Sequence, residues 1–191
     1  MKVYDIAIIG AGPAGASAAI FSAKAGKKTL LIDHGKSITK KAWIKNYYGV
    51  KEIDGPDLVE VGIQQAKALG AEFKTDEVNK IEQKGDLYVI QMGKHEFETK
   101  YVILATGLSV SLAEDMGLKI IDGKEPRIAR NIKVDHDGKT NLKNVWAAGT
   151  VAGESVHAII TAGHGAKVAI NVISEINGDR YVDHDILQSK D

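Results

Sequence analysis

The stretch Val3-Tyr4-Asp5-Ile6-Ala7-Ile8-Ile9-Gly10-Ala11-Gly12-Pro13-Ala14-Gly15, closed by Thr29-Leu30-Leu31-Ile32-Asp33, constrains this chain more than any other feature, because it reads as strand, glycine turn, helix and second strand. Gly10 permits a tight turn out of the strand, Gly12 lets the backbone approach a pyrophosphate, and Gly15 lets the helix lie close to the sheet. The helix N-terminus then turns free N–H groups and the positive end of its dipole toward the phosphates. Pro13 loses nothing in that first turn, where its missing N–H had no partner. Asp33 ends the second strand about 20 residues after the turn, where a carboxylate can accept both hydroxyls of an adenosine ribose. A free 2′-hydroxyl is implied, so FAD or NAD fits better than NADP. An ordinary strand-to-helix turn would account for the glycines alone. It does not account for their arrival with an apolar strand, a small-residue helix over 16–25 and an acid at the expected distance.

The chain has 191 residues, enough for one domain with a real core and too few for two full nucleotide-binding domains, so one cofactor is the expectation. Its 25 basic and 25 acidic side chains balance, so no long-range field draws it to nucleic acid or anionic lipid. No apolar run reaches membrane-spanning length and no cleavable signal pattern precedes the first strand, which predicts a cytoplasmic protein with no membrane partner. Cysteine is absent, which removes disulfides, thiolate nucleophiles and iron–sulfur clusters together. Any redox chemistry belongs to a bound cofactor.

After Asp33 a polar loop runs from His34 to Asn46 and carries Lys36, Lys40, Lys41 and Lys45, which read as solvated. For Trp43, Tyr47 and Tyr48 two readings stand: they cover a flat ring ligand, or they pack over the core edge. Gly55-Pro56-Asp57 reads as a turn and helix cap, followed by Leu58, Val61, Ala66 and Leu69 at roughly helical spacing. Glu72 to Gln83, Leu87 to Met92 and His95 to Thr99 read as three short strands, leading into the apolar strand Tyr101-Val102-Ile103-Leu104-Ala105-Thr106-Gly107. A short helix is expected over Leu112 to Met116. Ile132 to Val134 and Val145 to Gly149 return to β. Between them Asp135-His136-Asp137-Gly138 reads as a reverse turn, since the remaining ligands of a calcium loop are missing. A long helix follows, from about Glu154 to Ile176, whose stripe Ala158, Ala162, Gly165 and Ala169 carries almost no side-chain volume. Tight packing accounts for most of that stripe. The N–H groups of its first turn are suited to facing the pyrimidine end of a flavin and stabilising negative charge on the reduced ring.

Three separated segments match one family: the glycine turn with Asp33, the strand ending Ala105-Thr106-Gly107, and Asn144-Val145-Trp146-Ala147-Ala148-Gly149-Thr150-Val151-Ala152-Gly153 with the small-residue helix after it. Together they resemble the FAD domain of thioredoxin reductase-like, FAD-dependent pyridine nucleotide-disulfide oxidoreductases. Asn46-Tyr47-Tyr48-Gly49, Gly55-Pro56-Asp57-Leu58 and Gln65-Ala66-Lys67-Ala68-Leu69-Gly70-Ala71 extend the likeness over nearly the whole chain. The resemblance implies an α/β fold, a Rossmann-like FAD-binding domain whose central parallel sheet carries helices on one face and a small β-meander on the other. It implies FAD held at Gly10, Gly12, Pro13, Ala14 and Gly15, with Asp33 on the adenosine ribose and His34 beside it. The family's flavin-contacting asparagine falls on Asn46, and Val78 falls where backbone meets adenine. Ala105, Thr106 and Gly107 would lie along the phosphate side, and Gly149 and Thr150 by the ribityl chain. His157 and Ala158 take the places of a Gln-Ala pair that touches the isoalloxazine. The family's FAD domain mediates dimerisation, so a homodimer is expected.

The departures are equally specific. Relatives usually insert a second, NADPH-binding domain with a Cys-x-x-Cys after the Ala-Thr-Gly strand, and here a short connection over 109–126 joins the halves 1–108 and 127–191 of one FAD domain. The Asp that usually accepts bonds from the ribityl chain is Thr150, a weaker acceptor than a carboxylate. The Gly-Gly-Gln of many relatives is replaced by Lys36-Ser37-Ile38, so contacts there are not carried over. The expectation is a single-domain FAD flavoprotein that passes electrons from NAD(P)H or a donor protein to an unnamed acceptor, without a dithiol mechanism. His157 has two readings, a proton donor near the flavin or a hydrogen-bonded helix-cap histidine. His164 reads as structural. The alternatives to an oxidoreductase are a cofactor-binding sensor or assembly subunit, and a small NAD-using enzyme.

Overall fold

β1 (Val3–Ile9) and β2 (Thr29–Asp33) carry apolar residues on both faces and pair in parallel, with every residue of β2 buried. This is the pattern of strands inside a sheet covered on both sides. Between them α1 (Pro13–Lys24) starts at the glycine turn and packs through Ala14, Gly15, Ala18, Ala19 and Ala23. The computed structural model describes residues 2–183 and 185–186. It continues with β3 (Trp43–Ile44), β4 (Ile53–Asp54), α2 (Gly55–Ala68), β5 (Glu72–Thr75), β6 (Lys80–Lys84), β7 (Leu87–Met92) and β8 (His95–Leu104). The remaining elements are α3 (Ser111–Asp115), β9 (Ile120–Asp122), β10 (Arg130–Ile132), β11 (Val145–Ala147) and α4 (Ala158–Asn177).

The main sheet runs β5-β2-β1-β8-β7-β6, with β11 also paired to β8. β5, β2, β1, β8 and β11 are mutually parallel, and β6-β7-β8 form an antiparallel meander. β8 serves both parts. Its first half pairs with β7 up to Thr99 and its second half pairs with β11 from Val102, so the meander leaves the sheet where β11 joins it.

Two cores result. On one face α1, α2 and α4 cover Ile6, Ile8, Leu31, Ile103 and Trp146. On the other, Ile81, Tyr88, Ile90 and Met92 of the meander pack against Tyr4, Ala7, Ile9 and Leu104, with Ala113 of the short α3 on the same side. In α4, Val168, Val172 and Ile173 are fully buried, each worth about 2 kcal/mol of transfer free energy. The α4–α1 contact is closer still, since a Cβ on Gly165 would sit 1.9 Å from the Ala14 carbonyl oxygen.

Several boundaries differ from the sequence reading. Glu72 to Gln83 is not one strand. β5 and β6 lie at opposite ends of the sheet order, because the polar run Asp76-Glu77 between them crosses over, with the Asp76 N–H bonded to the Asp33 carbonyl at 3.0 Å. Conversely, His95 to Thr99 and the strand after it are one element, β8. In α2 the buried face is Val59, Ile63 and Ala66, while Val61 and Leu69 are exposed, so the expected stripe is rotated from the true one. The helix is capped by Asp54, whose carboxylate accepts the Asp57 N–H at 2.9 Å, a contact worth about 1 kcal/mol. α4 starts at Ala158 rather than near Glu154, and Gly149–Ala152 forms a 3-10 turn before it. β10 starts two residues before Ile132 and ends there. The Asp135–Gly138 segment is a reverse turn closed by Gly138 N–H to Asp135 carbonyl at 3.2 Å.

Candidate functional site

The glycine turn sits where β1, β8 and α1 meet, and its three glycines do different work. Gly10 has φ +101°, and a Cβ there would meet the Ala105 carbonyl oxygen at 2.3 Å. A Cβ on Gly15 would lie 1.7 Å from the Gly10 oxygen. Both positions are closed to any side chain by backbone. At Gly12 a Cβ would meet only the Ser37 hydroxyl, at 3.2 Å. Gly12 therefore clears space in front of the turn rather than inside the protein. It is also the N-cap of α1 and supplies no side-chain cap, which leaves first-turn N–H groups for an anion.

Asp33 is buried and anchored at both oxygens. Oδ1 accepts the Ala11 N–H at 2.9 Å and Oδ2 accepts the Gly35 N–H at 2.7 Å. A carboxylate has about four lone-pair sites, so Asp33, which lines the cleft, has acceptor capacity left for hydroxyl donors.

These groups open into a cleft of about 320 Å³, within the usual range for small-molecule sites. Gly10, Gly12, Pro13 and Ala14 form its floor, Asp33, His34 and Val78 one end, and Ala105, Thr106, Gly107 and Thr150 a side. Gly15, Gly149 and Ala158 lie outside the lining. Gly15 and Gly149 act from beneath it: a Cβ on Gly149 would come within 2.7 Å of the Ala14 Cβ. Asn46 is exposed and does not line the cleft. Trp43 and Tyr48 are 71% and 92% exposed, so neither packs over the core edge, while Tyr47 is half-buried; none of the three lines the cleft. Instead Lys45 lies over the Trp43 ring at 4.6 Å.

Lys36, Ser37 and Ile38, which in the sequence depart from the family pattern, do line the cleft. They reach it because Ile38–Lys41 coils into a 3-10 turn pinned over Gly55, where a Cβ would strike the Thr39 oxygen at 1.7 Å. Ser109, Ser111 and Leu112 from the connection and Val156 and Thr161 near the start of α4 line it too, and the sequence reading misses them. No local pattern marks them, because they arrive through tertiary folding of loops.

The two histidines of the α4 region separate. His157 is exposed and outside the cleft, and as the N-cap residue it makes no side-chain cap bond. Its Nδ1 is 2.8 Å from the Ser155 hydroxyl, which donates to Glu125 Oε2 at 3.1 Å. Ser155 has one proton and gives it to the carboxylate, so His157 donates Nδ1–H and keeps Nε2 as its acceptor. His164 is largely buried and accepts the Gly149 N–H at Nδ1, 3.0 Å away, with Nε2 3.7 Å from Glu154. Burial pushes its pKa down, Glu154 opposes this and Lys167 adds to it. It is thus a neutral imidazole holding the turn that presents Thr150. Asn131 supports the same turn, its amide donating to the Thr150 carbonyl at 2.7 Å.

Residues 4–75 and 55–166 match the pyridine nucleotide-disulphide oxidoreductase family. The chain belongs to that family, one of flavoproteins. A thioredoxin reductase of Peptoclostridium acidaminophilum is 41% identical over 127 residues, covering 64% of this chain and 40% of the relative. The chain thus matches about 40% of the length of such curated relatives. Among solved structures, an oxidoreductase from Agrobacterium tumefaciens superposes with TM-score 0.80 at 13% identity, covering 93% of this chain and 99% of that one. A thioredoxin reductase from Gloeobacter violaceus gives 0.78 at 18% identity, over 98% and 100%. These likenesses establish the fold. No helix among the described residues is long and apolar enough to cross a membrane.

Proposed function

We propose that this chain binds FAD in the cleft and acts as a flavoprotein oxidoreductase, taking electrons from an external reductant, NAD(P)H or a donor protein, and giving them to an acceptor other than an internal dithiol. The observation that carries this reading is the anchored Asp33 carboxylate beside a turn closed to side chains at Gly10 and Gly15 but clear in front of Gly12. That arrangement fits a ribose at one end and a pyrophosphate against α1. When bound, FAD supplies the two-electron redox chemistry. The protein's part is to hold and orient it. Asp33 accepts ribose hydroxyls, the N-terminus of α1 faces the phosphates, and Thr150, held by His164 and Asn131, offers a hydroxyl where relatives offer a carboxylate. His157, outside the cleft lining but next to Val156 that is part of it, keeps Nε2 as a hydrogen-bond acceptor. The absence of cysteine from these 191 residues supports the exclusion of an internal dithiol. A cytoplasmic homodimer is part of the reading; the dimer is supported by the exposed apolar residues Ile159 and Ile160 in the first turn of α4.

The test is an absorption spectrum of freshly purified protein before and after anaerobic NADH or NADPH. Flavin bands that bleach support the proposal. Bands that do not bleach favour a cofactor-retaining subunit, and a colourless protein that releases no FAD on denaturation and gains no melting temperature from added FAD overturns it.

A further inference from the structure

The side of the cleft formed by the connection has a second face. A cavity of about 300 Å³ lies behind it, and Leu108, Ser109 and Ser111 border both. Its opposite wall is the segment Arg127-Ile128-Ala129-Arg130. The chemistry of this lining is one-sided, with two guanidinium groups, two hydroxyls and no carboxylate. The Ser109 and Ser111 hydroxyls are 2.8 Å apart, so one donates to the other and one O–H is left to give. Arg130 is paired through Nη1 with Glu114, while Arg127 makes no ion pair among the described residues.

Arg127 is also held in a conformation that its type rarely adopts. Its φ is +67°, shared among non-glycine residues only by Asn144 in the described chain, and asparagine tolerates that region where arginine does not. The turn around it is fixed from both sides. The Ile128 N–H bonds the Glu125 carbonyl at 3.1 Å, and Gly123 packs so closely that a Cβ would lie 2.0 Å from the Ile128 oxygen. Such a residue is strained and persists where the surrounding structure over-determines it, a pattern concentrated at ligand sites. The side chain so placed is the one guanidinium of the cavity with no carboxylate against it.

We propose that this second cavity is a phosphate-binding subsite in which Arg127, with Arg130 and the Ser109–Ser111 hydroxyl pair, holds a phosphate group of a dinucleotide reductant presented to the neighbouring cleft. The guanidinium fork matches phosphate oxygens two at a time, and Arg127, exposed and, among the described residues, without the carboxylate partner that Arg130 has in Glu114, is free to present its fork to an anion. The identity of the phosphate's carrier rests on the proposed function, since only a flavin in the main cleft makes a neighbouring reductant useful. The anion site does not rest on it.

The experiment is calorimetric titration of the full, FAD-saturated chain with inorganic pyrophosphate, followed by competition with NADPH and NADH. Wild-type protein is expected to bind pyrophosphate with an affinity that falls as salt rises, and R127G and R130Q are each expected to weaken it about tenfold. Glycine is favoured at positive φ, so R127G keeps the turn, and an unchanged melting temperature separates lost binding from lost folding. Displacement of pyrophosphate by NADPH or NADH supports the reductant as the source, whereas binding that neither displaces overturns that assignment. Pyrophosphate binding that is absent in wild type, or unchanged in the R127G/R130Q double variant, overturns the subsite itself. Failure of the FAD reading registers separately, as colourless protein in which R127G-sensitive pyrophosphate binding persists.

Discussion

The two sides of the cleft are built by opposite means. Its floor, Gly10 to Gly15 with Gly149 and Gly165 beneath, is a stack of backbone against backbone in which the missing Cβ positions of Gly10, Gly15 and Gly165 are filled by carbonyls at 1.7–2.3 Å and that of Gly149 by the Ala14 Cβ, Gly12 alone facing nothing closer than the Ser37 hydroxyl. Its outer sides, Lys36 to Thr39 and Leu108 to Leu112, are connecting segments that lead into short helical turns and are held by short-range hydrogen bonds such as Thr106 Oγ1 to the Ser109 carbonyl at 2.6 Å. At Gly10, Gly15 and Gly165 the floor admits only glycine, so its backbone packing tolerates almost no sequence change there. The sides admit many, and it is there that specificity for donor and acceptor can differ between relatives that share the floor.

The sharpest way to break this contrast is to add one methyl group at two places in the floor. Gly15→Ala drives a Cβ into the Gly10 carbonyl, and overpacking with no soft neighbour to yield predicts a loss of about 3 kcal/mol or more. Chemical denaturation should show the variant unfolded or nearly so. Gly12→Ala meets only a rotatable Ser37 hydroxyl. It is expected to fold with a melting temperature near wild type yet to bind FAD about 100-fold more weakly, because its methyl enters the space proposed for the pyrophosphate. Equal destabilisation of the two variants would erase the distinction between a structural glycine and a ligand-clearing one.

Asp33→Asn tests the end of the floor. One of the two N–H groups, of Ala11 or Gly35, would then face an amide N–H instead of an oxygen, and an unsatisfied buried donor costs about 1–3 kcal/mol. The stability of the cofactor-free protein to thermal denaturation should fall by that amount. FAD titration should show a further loss, because the ribose hydroxyls lose a charged acceptor. A variant with unaltered FAD affinity would remove Asp33 from the site.

The same contrast decides which parts of the cleft are legible in the amino-acid sequence. The floor is legible because its demands are local: a strand, a turn with glycines at fixed offsets and an acid after the next strand leave their marks within one short stretch. The parallel order of β1, β2 and β8 follows from their apolar runs. The sides are not legible. Ser109 and Ser111 look like any polar residues of a connection, and Lys36-Ser37-Ile38 looks like a break in the family pattern. Only the 3-10 turn pinned over Gly55 brings the latter to the cleft. The division of Glu72 to Gln83 into β5 and β6 is hidden for a related reason. Both pieces have strand-like composition, and only the hydrogen bond from Asp76 to Asp33 records that the chain leaves the sheet between them. In α2, Val61 and Leu69 mislead because apolar residues on the solvent side carry the same periodic signal as those on the core side.

A smaller effect is expected where the floor meets α4. His164 must be neutral to accept the Gly149 N–H, and its pKa lies below the ordinary histidine value through burial. The unfolded chain therefore takes up a proton near pH 6.5 while the folded chain does not, so stability is full above that pH and is lost as pH falls below it. Melting temperature should decline from about pH 7 to about pH 5, together with FAD affinity, as the turn carrying Thr150 loosens. His164→Gln, whose side-chain oxygen can accept the same bond, should flatten the decline over that range. A slope unchanged in this variant would assign the pH response to other groups.

The smallest expected change lies in the far part of α1, away from the floor. Ser22 is fully buried and its hydroxyl has no hydrogen-bond partner among the described residues. It lies in the same helix whose first turn faces the cleft, but here nothing in the site requires a polar group, and a buried unpaired hydroxyl costs free energy that an alanine does not. Ser22→Ala should therefore stabilise the protein by about 1 kcal/mol, raising the melting temperature by about 2–4 °C, with FAD affinity untouched. The two ends of α1 would then respond in opposite senses to a change of one small group, harmful at Gly15 and beneficial at Ser22. A loss of stability in Ser22→Ala would mean that the hydroxyl has a partner, such as a buried water, and that α1 is as tightly specified at its end as at its start.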